Sequence, residues 1–248
     1  MLRHWLTAIL SVPVALVSLH AADWPHWRGH NRNAVSDETG LLRSWDGAVP
    51  LQAWSASGIG DGYSSVVSVD RFLYTTGRVG DDVICVALHV ATGEEVWRTK
   101  IGETSRNVMS TPTVDNDLLF ALDPDGELTC LKTSDGAIVW QRSFVEDFDG
   151  QLMSSRGYGE SPLIDGDKLI CTPGGQDAML VALERDTGQL RWSCAVPELG
   201  KAGADGAAFS SIVISEAAGV RQYIQLTGRG LIGVDSETGK FLWGYNDI

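Results

Sequence analysis

Four times the chain sets a glycine four residues before a tryptophan: "ATGEEVW" at 91–97, "SDGAIVW" at 134–140, "DTGQLRW" at 186–192 and "ETGKFLW" at 237–243. The pairs are Gly93 and Trp97, Gly136 and Trp140, Gly188 and Trp192, and Gly239 and Trp243. The tryptophans stand 43, 52 and 51 residues apart. Each unit also opens with a hydroxyl residue ahead of an apolar run: Ser65, Thr111, Ser161 and Ser211. From that residue to the tryptophan is 32, 29, 31 and 32 residues, so the unit is constant and the loops between units vary. Within a unit lie short runs rich in Val, Ile, Leu, Thr and Tyr, such as "RFLYTT" and "VICVAL", parted by Asp-Gly and Asp-Asn turn signals. About thirty residues with four strand signals and no helical period make one four-stranded blade, and blades at this spacing make an all-β propeller. The glycine permits a tight turn at positive φ. The tryptophan then lays its ring across the neighbouring blade as a docking element, and Trp140 is expected to be almost wholly buried.

The 248 residues, 44% hydrophobic and 21% charged, suffice for a large core. With 19 basic and 32 acidic side chains the net charge is −13, which repels phosphate backbones and anionic headgroups, so nucleic acid is excluded as a partner. Residues 1–22, with Arg3, an apolar run and small residues at Ala21 and Ala22, read as a signal peptide and predict a periplasmic or secreted protein. The first cysteine is Cys85, so no lipid anchor is expected, and no later stretch is long and apolar enough to span a bilayer. Cys85, Cys130, Cys171 and Cys194 each sit in a strand-like apolar context and read as buried small side chains.

The blades are expected at about 63–102, 110–145, 159–197 and 208–246, after an N-terminal segment, 23–62. That segment holds Trp54 in "VPLQAWSAS", which looks like a fourth strand without its first three. A strand of this kind closes a propeller's last blade, yet the fourth blade here is already complete. The expectation is therefore part of a larger propeller, with a closed four-bladed ring as the alternative. Open end blades would favour self-association.

The repeat resembles the PQQ-like, or quinoprotein-like, propeller family, whose motif is Ala-x-Asp-x-x-x-Gly-x-x-x-Trp. The alanine and aspartate positions here read Ala87 and His89, Cys130 and Lys132, Ala182 and Glu184, and Gly233 and Asp235. The opening "DWPHWRGHNRNAVSDETGLLRSW" is similar to exported members in planctomycete bacteria, with His30 where a proline is usual. The resemblance implies about seven or eight blades. It implies two activities. One is that of a dehydrogenase holding PQQ with calcium through a vicinal disulfide, a stacking tryptophan and a carboxylate set; no two cysteines are adjacent here. The other is that of a non-catalytic scaffold, as in the propeller component of the outer-membrane β-barrel assembly machinery.

Other motifs reduce to structure. "GRGLIG" at 228–233 matches a dinucleotide fingerprint but is followed by strand-like residues, so it reads as a hairpin turn. Asp115 and Asp117, Asp123, Asp125 and Glu127, and Asp165 and Asp167 fall at strand-to-strand turns without the distal glutamate of a calcium loop. His26 and His30, around Gly29, lack a third ligand nearby. No nucleophile with its base is visible, so catalytic, cofactor and metal residues are all expected to be none. The long loops "VEDFDGQLMSSRGYGE" and "VPELGKAGADGAAF" carry Arg156, Tyr158, Glu160 and Lys201, groups suited to contacting a protein or peptide in the cell envelope. A non-catalytic interaction or scaffold protein is the reading, with a PQQ-dependent or quinone-linked dehydrogenase as the alternative.

Overall fold

The computed structural model describes residues 22–45 and 49–247. Residues 1–21 of the expected signal peptide lie outside them. Four antiparallel sheets follow in chain order, each a four-stranded meander. Blade 1 is β1 (Val67–Val69), β2 (Phe72–Val79), β3 (Asp82–His89) and β4 (Glu95–Glu103). Blade 2 is β5 (Thr113–Asp115), β6 (Leu118–Leu122), β7 (Glu127–Lys132) and β8 (Ile138–Ser143). Blade 3 is β9 (Leu163–Asp165), β10 (Lys168–Cys171), β11 (Leu180–Glu184) and β12 (Leu190–Cys194). Blade 4 is β13 (Val213–Ser215), β14 (Gln222–Thr227), β15 (Gly230–Asp235) and β16 (Phe241–Tyr245). The "GRGLIG" stretch is the β14–β15 hairpin, with Thr227 opposite Gly230.

The motif repeats at atomic level. The residues at the family's alanine position, Ala87, Cys130, Ala182 and Gly233, lie directly opposite Trp97, Trp140, Trp192 and Trp243. In blade 4 the need for a small residue is direct, since a Cβ on Gly233 would lie 2.3 Å from the Trp243 indole. One residue on, every blade has a register shift, at Ala87/Leu88, Cys130/Leu131, Ala182/Leu183 and Gly233/Val234. A bulge of this kind re-aims a side chain, here the tryptophan, towards the next blade.

What Trp97, Trp140 and Trp192 meet there is the next glycine. A Cβ built on Gly136 would fall 2.6 Å from the Trp97 ring, one on Gly188 2.8 Å from Trp140, and one on Gly239 2.4 Å from Trp192. Glycine is thus needed for its open face as well as for its φ of +67° to +72°. The indole N–H of Trp97 donates to Thr133 O at 2.9 Å and that of Trp140 to Arg185 O at 3.1 Å, each the carbonyl three residues before the glycine. Trp54 does the same, with its ring on Gly93 and its N–H on Val90 O at 2.8 Å. Blade 1 therefore receives a tryptophan as blades 2 to 4 do. Trp97 is buried, but Trp140 is only half-buried, on the outer strand β8 whose Ile138 and Val139 are exposed. Trp243 is 37% exposed and turns its N–H to Gln222 Oε1 in its own blade, so the four blades form an arc rather than a closed ring.

The opening hydroxyl residues form a second set of junctions. Ser65 N donates to Thr111 Oγ1 at 3.0 Å, Thr111 N to Ser161 Oγ at 3.1 Å and Ser161 N to Ser211 Oγ at 2.9 Å. Between these two sets lie three apolar layers. Tyr74, Cys85, Ile101 and Leu119 pack between blades 1 and 2, Phe120, Leu128, Leu169 and Val181 between 2 and 3, and Ile170, Leu180, Tyr223 and Ile232 between 3 and 4. All four cysteines are free and buried in these sheets. Burial pushes the Cys130 thiol up to about 12 and the Cys194 thiol up to about 11.

Candidate functional site

Two features stand out where the first strands begin: a loop face, and a strap along the inner strands. The loops joining one blade to the next gather at that end. The longest starts in a short helix, α1 (Phe144–Phe148), capped by Ser143 Oγ accepting from Glu146 N at 3.2 Å and ended by Asp149 in the left-handed region. It then runs beside the following loop. Ala207 N donates to Gln151 O at 2.7 Å and Met153 N to Ala207 O at 3.0 Å, so the two long loops are zipped into one surface.

Of the loop residues singled out from sequence, Arg156 and Lys201 are exposed. Tyr158 and Glu160 are not available to a partner. Tyr158 is 1% exposed: its ring stands edge-on to Phe144 at 5.2 Å and its hydroxyl donates to Pro173 O at 2.9 Å. Glu160 is 2% exposed and accepts from the Thr172 amide at 2.5 Å and its hydroxyl at 2.7 Å. Beside Arg156, a cleft of about 600 Å³ is lined by Tyr63, Arg106, Asn107 and Met109. Tyr63 in that lining is exposed, as is Phe209 at the end of the following loop, although nothing in their sequence context marks them. A second cleft, of about 530 Å³ between blades 3 and 4, has Met179, Leu199 and the Asp205–Arg229 ion pair in its walls.

The carboxylates at the turns behave as turn chemistry. Asp123 Oδ1 accepts from Asp125 N at 2.9 Å and Glu127 N at 2.8 Å, and burial raises its carboxyl to about 6. Arg106 pairs with Asp125. Among the described residues no three His, Cys, Asp or Glu side chains converge as a metal site would need.

Residues 24–34, "WPHWRGHNRNA", form the strap. Trp24 pairs antiparallel with Ser68 of β1, exchanging hydrogen bonds of 2.7 and 3.0 Å, and Pro25 O accepts from Val114 N of β5 at 2.9 Å. The chain then coils through left-handed conformations at Arg28, Gly29, Arg32 and Ala34. Gly29 is required, since a Cβ there would lie 2.7 Å from the Trp24 ring. The coil delivers Arg32, 9% exposed, to blade 3: Nη1 donates to Pro162 O and Nη2 to Ser161 O, both at 2.9 Å. Burial lowers the guanidinium to about 10, against the opposing pull of the Glu160 charge. Burial raises Glu160 to about 7, against its bonds to Thr172 and the charge of Arg32. His26 is held down to about 4 by burial and by the charges of Arg32 and His30, whose ring is 6.3 Å away. Gln225, 1% exposed, joins the cluster through Nε2, at 2.8 Å from Thr172 Oγ1 and 2.9 Å from Ser210 O. The strap thus ties three consecutive inner strands together along the propeller axis.

The family model described as outer membrane protein assembly factor BamB matches residues 80–246. The chain is 30% identical over 200 residues to outer membrane protein assembly factor BamB of Burkholderia pseudomallei (strain K96243), over 77% of this chain and 45% of that protein. With the same factor from Salmonella typhimurium it shares 32% over 104 residues, 37% of this chain and 26% of that one. It spans less than half the length of these relatives. Among solved structures it is similar to quinohemoprotein alcohol dehydrogenase from Comamonas testosteroni, with a TM-score of 0.67 at 16% identity over 91% of this chain and 41% of that one. At that identity the likeness is one of fold. With a match across two thirds of its length and the glycine–tryptophan pair present in every blade, the chain belongs to the PQQ-like propeller family of outer membrane protein assembly factor BamB.

Proposed function

We propose that the chain is an exported, non-catalytic propeller that works as an interaction or scaffold protein in the cell envelope, periplasmic or secreted, with a protein or peptide as its partner. The observation that carries this reading is the loop face: two long loops hydrogen-bonded into one surface, with Tyr63, Phe209 and Arg156 exposed on it. Aromatic and arginine side chains are the groups that dominate protein contacts. The names of the relatives, as assembly factors, agree with it.

The alternative, a PQQ-dependent or quinone-linked dehydrogenase, draws on the fold it shares with the quinohemoprotein enzyme. The residues present do not fit PQQ with calcium. The strap lies along the axis, Glu160 is engaged by Thr172, and Asp115 is paired with Arg185. The four cysteines, never adjacent in sequence, cannot form a vicinal disulfide. No catalytic step is derived through that group.

The test places a photo-crosslinking amino acid at Tyr63 or Lys201 on the loop face, and at Lys240 on the blade-4 turn as control, in the exported protein in its own host. The scaffold reading expects one defined envelope adduct from the loop positions and none from Lys240. Equal labelling from all three positions, or none from the loop face, overturns it.

A further inference from the structure

The residue two places before each opening hydroxyl holds the same position in its unit: Tyr63 before Ser65, Met109 before Thr111, Gly159 before Ser161 and Phe209 before Ser211. Because those hydroxyl residues are bonded blade to blade, the four stand in a row where the loops meet the first strands. Single apolar side chains on a surface carry no meaning, but contiguous ones do. A Cβ built on Gly159 would lie 3.3 Å from Met109 Cε and 3.5 Å from Phe209 Cδ1, so the bare glycine lets these two side chains close over it. Tyr63 N donates to Val108 O at 2.7 Å, which holds the Tyr63 backbone beside Met109, and both side chains line the cleft of about 600 Å³. The polar wall of that cleft has an uncommitted charge. Arg106 is engaged, its Nε donating to Ser155 O at 3.0 Å and its Nη1 pairing with Asp125. Arg156 is exposed, and its guanidinium has no partner among the described residues. At Arg185, Arg191, Arg221 and Arg229 this chain of net charge −13 engages its own carboxylates; at Arg156 it does not.

We propose that this cleft docks an extended segment of a partner polypeptide through one aromatic side chain, laid on Tyr63, Met109 and Phe209, and one adjacent acidic side chain, paired with Arg156. The cleft is open as it stands, so no element has to move. A flat ring gains edge or offset contacts with Tyr63 and Phe209 and a thioether contact with Met109. A carboxylate meets the guanidinium in a forked, charge-assisted pair, whereas a lysine in its place would face a like charge. The negative charge of the molecule at large disfavours a partner that is acidic throughout, so the fitting segment carries a single acid beside its aromatic residue. The proposal rests on the scaffold reading for the class of partner, and it adds what that partner must present.

Peptide titration with charge reversal tests the site. The probe is a dye-labelled hexapeptide with blocked ends, Gly-Ser-Phe-Asp-Ser-Gly, followed by fluorescence anisotropy against the purified protein. Saturable binding with a Kd below about 1 mM is expected, weakened about tenfold or more when Asn replaces Asp and again when Ala replaces Phe. Tyr63→Ala should weaken the Phe peptide and leave the Ala peptide as it was. Arg156→Glu should invert the preference, so that the peptide with Lys in place of Asp binds better than the original. A merely structural arginine would lower all the peptides alike and invert nothing. No saturable binding up to about 5 mM, or the same peptide ranking in wild type and Arg156→Glu, overturns the proposal. The scaffold reading fails separately: an in-host adduct from Tyr63 that Arg156→Glu leaves undiminished keeps the scaffold and sinks this site, whereas peptide binding that inverts, with no adduct in the host, keeps this site and sinks the scaffold.

Discussion

The docking glycines carry two separable demands, and single substitutions can tell them apart. Gly136 has φ +70°, and a Cβ there would strike the Trp97 ring at 2.6 Å and Thr99 Oγ1 at the same distance. Gly80 has φ +65° with nothing within 4 Å of its Cβ. Gly80→Ala therefore costs only the left-handed strain, about 1 kcal/mol. Gly136→Ala costs that plus displacement of a buried indole that bonds Thr133, so about 3 kcal/mol or more is expected. Urea denaturation of the two variants checks it. Equal losses would mean that the ring contact adds nothing and that the glycine is retained for its turn alone. The spacing of Gly and Trp made this pair legible in the sequence. The small residue across from each tryptophan was visible as Ala87, Cys130, Ala182 and Gly233, but its reason needed the register.

At the level of strands and loops, the repeat's opening hydroxyl is a junction in its own right. Ser161 stands in the middle of it, accepting from Thr111 N and donating its amide to Ser211 Oγ. Ser161→Ala leaves the buried Thr111 amide without its acceptor, which costs about 1–3 kcal/mol. Ser161→Thr, which keeps the hydroxyl, should lose less than half as much by the same urea denaturation. A serine-to-alanine variant as stable as wild type would show that these bonds are incidental. Strand order and turn carboxylates could be read from periodicity and turn residues, because they depend on local chemistry. The strap could not. It has no period, and its coil uses left-handed φ at Arg28, Arg32 and Ala34, residues that do not announce such a conformation. Tyr158 and Glu160 looked like loop polar groups for a related reason: what buries them is Phe144, Pro173 and Thr172, one of them fourteen residues away and the others across the hairpin of blade 3.

For the molecule as a whole, a cofactor titration separates the two readings of function. With the strap along it and Glu160 and Asp115 already engaged, titration of the purified protein with PQQ and calcium is expected to give no stoichiometric heat, and no dye reduction with alcohols or sugars. Tight one-to-one binding with turnover would put the dehydrogenase ahead of the scaffold. The tryptophan-to-glycine junction also has a direction: every blade presents an indole on the side facing the next and a bare glycine on the side facing the last. The ring-on-glycine contact recurs at Trp54–Gly93, Trp97–Gly136, Trp140–Gly188 and Trp192–Gly239, with the indole's carbonyl bond kept at the first three and absent at Trp192, so one whole unit offers the same ring and glycine as another at each junction. Duplication or loss of a complete unit of DNA leaves every remaining joint matched, whereas a crossover inside a unit strands an indole without its glycine. Copy number is then the variable such a lineage changes cheaply, and the interior of the blade is the part it must inherit intact.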